Sequence, residues 1–421
     1  MVKRLTLENG IKVILEYMPM LETVSTGFFF KTGSLHESKE ENGYTHFIEH
    51  MLFRGTKNLT SKELVRKIEG VGGNFNAFTS RHMTSFYINI IEKHFERALD
   101  TLEDIILNSI FNEDDIEKEK KVITEELKMS NDTPEEISSN QFFASAYKDS
   151  PIGFPIGGSI ENIQNITRDK IYSYFKRKFN IDNFVVSIAG KFDMDLAIKK
   201  LSNIKLDSNE KNEYPDTHFY YNTVITEKED LNHIYFSLIK DSYKYTDKEK
   251  RYSMNILSDI FGGSSYSKLF QKIREEKALC YNIYSTNYNS INTGNFEISG
   301  STSLDNYQET LESIYEEFEK LLEKGVTEEE LEEAKDSYKS NIVFSKVSAN
   351  FIMNKNARNE IYNSSYLSFD DICQAIDNVT MKDINSIIEE KLSDKKFFLT
   401  AVGPKGTKEI SEKFSLNFQI N

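Results

Sequence analysis

The sequence predicts an α+β protein made of two homologous domains, each a mainly antiparallel sheet packed against helices. The chain has 421 residues, which is more than one hydrophobic core usually serves. The segment that begins at Thr167 (TRDKIYSYFKRKFNIDNFVVSIAG) matches in pattern the segment that begins at Thr380 (TMKDINSIIEEKLSDKKFFLTAVG). Both predict a capped helix, a turn, a strand and a glycine. We therefore expect related domains at residues 1–205 and 221–421, joined by a polar linker at 206–220.

Turn, capping and periodicity signals divide the first copy into elements. Asn9-Gly10 is a hairpin signal, and β-branched and aromatic runs favour strands. Helices are indicated by apolar residues at helical spacing and by the capping box from Thr60 to Glu63. In chain order we predict a hairpin around Asn9-Gly10, a strand at 23–31, helices at 44–53 and 60–70, strands at 74–80 and 84–91, helices at 94–109, 112–129 and 166–179, and a strand at 183–190.

The composition indicates a globular protein and excludes two classes of partner. Hydrophobic residues make up 38% and aromatic residues 12% of the chain, which suffices for packed cores. The net charge of −15 would repel nucleic acid and anionic membranes. No apolar run approaches the roughly 20 residues that span a bilayer, and the N-terminus lacks the apolar core of a signal peptide. We therefore expect no nucleic-acid or membrane partner and a cytoplasmic location.

The two cysteines carry little chemical information. Cys280 and Cys373 cannot form a disulfide framework and are no zinc-binding set. We expect both to be buried thiols.

The stretch His46-Phe-Ile-Glu-His50 sets two imidazoles and a carboxylate at a spacing that suits a metal. Residues four apart on a helix lie one turn above each other, so both imidazoles can face one ion. This is the inverted zinc-protease pattern H-x-x-E-H. The same pattern also arises by chance on amphipathic helices, so other parts of the chain have to decide.

The predicted helix at 112–129 supplies carboxylates for the same ion. Catalytic zinc takes three protein ligands and leaves one position open for water. Glu119 and Glu126 lie two turns apart on one face. We expect Glu126 to be the third ligand, with Glu119 supporting the site, and Glu49 to take a proton from zinc-bound water. Taken alone, such glutamates would be read as solvent-facing.

The second copy lacks all of these groups. Its aligned positions hold Met254, Leu257, Ser258, Ala334 and Asn341. Solvated helix faces give no reason for every candidate metal group to be absent together. The comparison therefore favours a functional set in the first copy.

Longer segments resemble a known family over essentially the whole chain. The runs GSLHESKEENGYTHFIEHMLFRGT, GGNFNAFTS, EKKVITEELKMSNDTP and FGGSSYSKLFQKIREEKALCYNIYS resemble the pitrilysin family of zinc peptidases, which includes insulin-degrading enzyme and the mitochondrial processing peptidase. The resemblance implies a zinc metalloendopeptidase, with one zinc per chain, that cuts short or unfolded peptides in an enclosed chamber. His46, His50 and Glu126 match its zinc ligands. Glu49 matches the catalytic base, and Glu119 matches a supporting glutamate.

The resemblance also implies residues that contact the substrate. Asn76, Ala77 and Phe78 match a strand edge that binds the peptide backbone, as an extended peptide adding to a sheet would. Arg274 and Tyr281 match an arginine and a tyrosine that face the substrate carbonyl and can stabilise its oxyanion. From the sequence alone, Arg274 could instead pair with acidic neighbours, and Tyr281 could be a core aromatic.

Two other functions and one assembly remain open from the sequence. The chain could be a dedicated processing or maturation protease for a leader peptide or precursor. It could also be a non-catalytic subunit, since the family resembles subunits of respiratory complexes that have lost their metal groups; the intact groups listed above argue against this. Larger family members carry four copies of the unit and this chain carries two. The resemblance therefore implies a homodimer with shared active sites.

Overall fold

The computed structural model describes residues 1–417, which form two compact units. The first unit comprises Met1–Met129, Phe154–Tyr214 and Val343–Leu367, and the second comprises Ser130–Gly153, Pro215–Ile342 and the chain from Ser368 onward. Each unit thus includes a segment from the other half of the sequence. The predicted division at 206–220 stays a prediction about the two sequence copies.

The strands form one sheet in each unit. In chain order they are β1 (Val2–Thr6), β2 (Lys12–Tyr17), β3 (Thr23–Phe30), β4 (Asn74–Thr79), β5 (Thr84–Ile91), β6 (Phe184–Gly190), β7 (Thr223–Glu227), β8 (His233–Asp241), β9 (Cys280–Asn289), β10 (Gly294–Ser303) and β11 (Phe398–Gly403). The first sheet has the order β1-β2-β6-β3-β5-β4 and the second β7-β11-β8-β10-β9. All pairs are antiparallel except β2 with β6 and β11 with β7.

The two sheets share one topology. Read from its parallel pair, the first sheet runs β2-β6-β3-β5-β4 and the second β7-β11-β8-β10-β9, and the positions correspond in chain order. The first sheet adds β1 at its edge through the hairpin at Asn9-Gly10. The predicted fold class, two α+β units with mainly antiparallel sheets, is confirmed.

Fifteen helices cover the sheets within the described residues. In chain order they are α1 (Tyr44–Leu52), α2 (Ser61–Glu69), α3 (Phe95–Asn108), α4 (Glu113–Asp132), α5 (Pro134–Ala146), α6 (Ile160–Gln164), α7 (Arg168–Lys178), α8 (Met194–Asn203), α9 (Lys248–Ser258), α10 (Leu304–Lys324), α11 (Glu328–Ser345), α12 (Ala349–Asn363), α13 (Phe369–Asp377), α14 (Met381–Ile387) and α15 (Thr407–Asn417). Three π-helical segments lie at Asp259–Gly263, Phe270–Glu276 and Ile388–Leu392.

The units exchange one sheet-covering helix each. Helix α12, from the second half of the sequence, packs on β3 and β6 of the first unit. Helix α5, from the first half, packs on β11 and β8 of the second unit. Strand β3 lies at the centre of the first core, with Val24, Phe28 and Phe30 fully buried.

Local sequence signals account for the helix ends near the site. The Thr60 side chain accepts a hydrogen bond from the backbone N–H of Glu63, and the Glu63 carboxylate accepts one from the backbone N–H of Thr60, so the predicted capping box begins α2. The Thr167 hydroxyl accepts a hydrogen bond from the backbone N–H of Lys170 and so caps α7.

Among residues 1–417, no helix combines the length and the apolar character of a bilayer-spanning segment.

The two cysteines are free thiols. Both are partly exposed, so the expectation that they are buried was wrong.

Candidate metal centre

The two histidines and the glutamate of α1 lie on the face of the helix that is least buried in the core. Six of its residues are buried, and the three that are only partly buried are His46, Glu49 and His50. The helix contacts β4 and β5. The apolar positions of α1 therefore orient both imidazoles and the carboxylate toward one side.

Three ligand atoms converge in the first unit. The Nε2 atoms of His46 and His50 lie 3.2 Å apart. The Glu126 carboxylate on α4 lies 3.8 Å from Nε2 of His46 and 3.6 Å from Nε2 of His50. All three ligand atoms lie within 4.8 Å of one another.

Glu119 lies on the other side of His50 from the ligand atoms, two helical turns before Glu126 on α4. Its Oε2 is 3.0 Å from Nδ1 of His50, and its side chain is only 2% exposed. A carboxylate at this distance keeps the proton on Nδ1, so the lone pair of His50 is on Nε2. The Arg54 guanidinium contacts the other side of the Glu119 carboxylate and balances its buried charge.

Glu49 is held by a strand residue. The Thr79 hydroxyl at the end of β4 donates a hydrogen bond of 2.5 Å to Oε2 of Glu49. Burial raises the pKa of Glu49, and the Thr79 bond opposes that rise. The side chain is thus fixed next to the histidines, and burial makes it a stronger base than a solvated glutamate.

Burial and the neighbouring His50 lower the pKa of His46 to about 4. Its imidazole is therefore neutral at pH 7, as a metal ligand must be.

The donor set fits zinc. Two Zn–N bonds of about 2.0–2.1 Å at a tetrahedral angle place the nitrogens roughly 3.4 Å apart, close to the observed 3.2 Å between the two Nε2 atoms. Both nitrogens are neutral donors, and Glu126 adds one negative oxygen. His46, His50 and Glu126 could therefore hold the ion.

The predicted peptide-binding residues lie on β4, the edge strand of the first sheet. Asn76, Ala77 and Phe78 pair with β5 on one side only, so β4 is an edge strand. The backbone N–H of Ala77 donates to Oδ1 of the Asn76 side chain. Asn76 is exposed, and Ala77 and Phe78 are partly exposed. The strand ends at Thr79, which binds Glu49, so the free edge leads directly to the base.

Arg274 and Tyr281 lie next to each other in the second unit. The Arg274 guanidinium carbon is 4.8 Å from the centroid of the Tyr281 ring and 4.6 Å from that of Phe270. Tyr281 is 82% exposed, so it is not a core aromatic. Arg274 has an acidic neighbour, Glu275, at 3.8 Å, a long contact that does not hold it as a dedicated ion pair.

Sequence reasoning missed Arg54 and Thr79. Arg54 lies four residues after His50 and eight after His46. It would have been found if the helical spacing had been extended one residue beyond the predicted end of the helix. The contact between Thr79 and Glu49 is made between a strand and a helix, and no local pattern predicts it.

Comparison with known proteins identifies the family to which this chain belongs. Residues 12–159 match the family described as Insulinase (Peptidase family M16), and residues 165–338 match the Peptidase M16 inactive domain. A protein of Bacillus subtilis named uncharacterized zinc protease YmxG is 31% identical over 410 residues, covering 96% of this chain and 99% of that protein. The chain belongs to the M16 peptidase family. As a member with relatives named zinc proteases, it is a zinc metallopeptidase.

Solved structures agree on the fold of this M16 peptidase. A protease from Helicobacter pylori superposes with a TM-score of 0.86 at 21% identity, over 96% of this chain and 98% of that one. A chain of complex III2 from Candida albicans superposes with a TM-score of 0.83 at 17% identity, over 98% and 100% of the two chains. Such likeness shows the fold alone, so the function has to be argued from the residues of the site.

Proposed function

We propose that this M16 peptidase is an endopeptidase whose zinc is held by His46, His50 and Glu126, with Glu49 as its general base. The observation that carries the proposal is the convergence of the three ligand atoms within 4.8 Å, on the open face of α1 and beside Glu49. The donor chemistry and the neutral state of His46 support it. Glu119 and Arg54 position His50 and take no part in the reaction themselves.

The reaction follows from the placement of Glu49. Bound zinc lowers the pKa of a coordinated water toward about 7. Glu49 accepts a proton from the attacking water as the water oxygen bonds to the peptide carbonyl carbon. Glu49 then returns that proton to the amine nitrogen as the C–N bond breaks. The Thr79 hydroxyl holds Glu49 in place during both transfers.

The free edge of β4 supplies the substrate site in this proposal. An extended peptide that pairs with Asn76, Ala77 and Phe78 would form main-chain hydrogen bonds, which recognise any sequence. Only a chain that can adopt an extended strand fits such an edge. We therefore propose short or unfolded peptides as the substrates. The family resemblance adds the proposal that they are cut in an enclosed chamber.

The test of the function combines metal analysis with peptide cleavage. The purified chain should contain one zinc and cut a random peptide library, and a chelator should abolish both, with activity returning on addition of zinc. His46→Ala is the matched control, because it removes one ligand and leaves Glu49 and β4 in place. Cleavage that persists without metal, or that His46→Ala retains, would refute the proposal.

Arg274 and Tyr281 are proposed to stabilise the oxyanion in a homodimer with shared sites. A cation and a hydroxyl beside each other, with Tyr281 exposed, suit a developing negative charge. Two chains of two units each would equal the four units of larger family members, and isologous dimers are the commonest oligomers. We propose that these two side chains of one subunit act at the zinc of the other.

Mixed dimers test the shared site. Chains carrying Glu49→Gln and Arg274→Ala are each expected to be inactive, and they are unfolded together and refolded. In a mixed dimer with shared sites, one site is fully intact and the other doubly defective. Half of the dimers are mixed, so about a quarter of wild-type activity should return. If Arg274 acts on its own chain's zinc, every site keeps a defect and no activity returns.

A dedicated processing protease uses the same chemistry with one precursor as its substrate. The peptide library also separates these functions, because a dedicated enzyme would cut few members and a scavenging one many. A cytoplasmic location remains part of the proposal.

A further inference from the structure

Glu37 is a buried carboxylate that the proposed reaction does not use. Its side chain is 2% exposed and lies in the loop before α1. Oε1 accepts a hydrogen bond of 2.7 Å from the backbone N–H of Thr45, and Oε2 accepts one of 2.9 Å from that of Gly43. The amide of Asn42 donates a third, of 3.0 Å, to Oε2. All three groups donate to the carboxylate; burial raises the pKa of Glu37, and these hydrogen bonds oppose that rise and favour the ionised form.

These bonds replace the cap that α1 lacks. The N-cap residue is Gly43, which has a left-handed backbone with φ of 101° and no side chain to accept from the first turn. The first N–H groups of a helix have no partner within it, and its N-terminus attracts negative charge. Glu37, six residues before Gly43, supplies both an acceptor for these N–H groups and a negative charge at the N-terminus of α1. The turn that it holds is the turn that carries His46.

The second unit shows what the helix does without this carboxylate. With Phe53 aligned on Phe261, Glu37 falls opposite Tyr245 and Gly43 opposite Arg251. The corresponding helix, α9, already begins at Lys248 and so runs through the position that Gly43 occupies in α1. The delayed helix start and its carboxylate cap therefore occur in the copy that carries the metal groups.

The same network supports the loop that fills the space between the two ligand helices. The Asn42 amide that binds Glu37 also donates a hydrogen bond of 2.9 Å to the Pro155 carbonyl. Two residues on, a Cβ on Gly157 would lie 2.8 Å from Cδ2 of Leu127 on α4 and 3.6 Å from Nδ1 of His46 on α1. Leu127 adjoins Glu126, so this loop packs between the two helices that present the ligands.

We infer that Glu37 is a positioning residue that sets the first turn of α1 and, through Asn42, the loop at 155–158, so that His46 meets His50 and Glu126 at zinc-binding distance. The inference rests on the proposed metal site. It assigns Glu37 no contact with substrate or ion. Changes to groups that orient ligands typically cost roughly 10–100-fold in metal affinity.

The test is the zinc affinity of Glu37→Gln, measured by competition with a chelator of known affinity. The substitution keeps the size of the side chain but removes the charge and leaves a single accepting oxygen for three donors. We expect zinc to bind roughly 10–100-fold more weakly and the visible spectrum of the Co²⁺-substituted protein to change. At saturating zinc, kcat should remain below wild type while KM stays unchanged, because β4 is untouched.

Glu360→Gln is the matched control. Glu360 is also 2% exposed and lies in the same unit, where its carboxylate pairs with Arg4 of β1 at 2.6 Å and Lys12 of β2 at 3.5 Å. It should keep wild-type zinc affinity and the wild-type Co²⁺ spectrum, whatever its effect on melting temperature. Wild-type zinc affinity in Glu37→Gln, or an equal loss in Glu360→Gln, would overturn the inference.

Asn42→Ala covers the case in which Glu37→Gln fails to fold. It removes one donor to Glu37 and the bond to Pro155, so zinc affinity should fall in the same direction by a smaller factor; unchanged affinity would overturn the inference. A failure of the proposed metal site is distinguishable. In that case the wild-type chain itself would bind zinc no better than His46→Ala.

Discussion

Replacing Glu49 by glutamine should abolish peptide hydrolysis and leave zinc bound. Glutamine has the shape of glutamate, and its amide oxygen can still accept the 2.5 Å bond from the Thr79 hydroxyl. His46, His50 and Glu126 are unchanged, so zinc content should match wild type. The amide cannot accept a proton from water at any ordinary pH. The substitution therefore removes the base and little else.

The expected loss follows from the role of Glu49 in both proton transfers. General-base help contributes roughly 10²–10⁴-fold in rate, which corresponds to about 3–5 kcal/mol of barrier. Thr79→Val should cost less, because it removes only the hydrogen bond that holds the carboxylate. A hydrogen bond to a charged group contributes about 1.5–3 kcal/mol, so we expect a loss of roughly 10- to 100-fold. Thr79→Ser keeps the hydroxyl and should stay near wild type.

The assay follows hydrolysis of a fluorogenic peptide at saturating substrate, alongside zinc analysis of the same samples. Wild-type turnover in Glu49→Gln would refute the assigned base. Equal losses in Thr79→Val and Thr79→Ser would show that the hydroxyl does not hold Glu49.

Three further predictions concern the third zinc ligand, the folding state of the substrate and a buried histidine. Glu126→Gln should lose zinc on dialysis, because it removes the charged ligand; occupancy equal to wild type would point to Glu119 or Glu125 as the third ligand. A domain should be cut when it is unfolded and survive when it is stably folded. Efficient cleavage of the folded form would argue for an open site. Burial lowers the pKa of His36 to about 3, below the ordinary value of about 6.5, so the unfolded chain binds its proton first. The stability that neutral His36 contributes should therefore be complete above pH 6.5 and fall by about 1.4 kcal/mol per unit as the pH drops toward 3. His36→Asn should flatten this slope in denaturant titrations, and an unchanged slope would show that His36 is not its source.

Local chemistry in the sequence predicts much of the site. The spacing of His46 and His50 on a helix, and of Glu119 and Glu126 on another, depends only on helical periodicity. The absence of these groups from the second copy supplied the reason to read them together. In the structure Glu119 lies next to Nδ1 of His50 and Glu126 lies on the Nε2 side; the roles assigned to them stay a proposal.

What escaped prediction depends on tertiary packing. Glu37 lies in a loop and acts on the helix that follows, which no helical or strand period reveals. Thr79 reaches Glu49 because β4 packs against α1. The exchange of α5 and α12 between the units depends on which sheet each helix covers, and their sequences resemble those of any partly buried helix. Sequence repeats therefore predict the sheets and leave the partners of these helices undetermined.

The most direct measurement of the central claim is X-ray absorption at the zinc edge, on the chain loaded with a single equivalent of zinc. The account predicts nitrogen and oxygen scatterers at about 2.0–2.2 Å, including two imidazoles, with one imidazole lost in His46→Ala. Sulfur in the coordination shell, or identical spectra from the wild-type chain and His46→Ala, would contradict it.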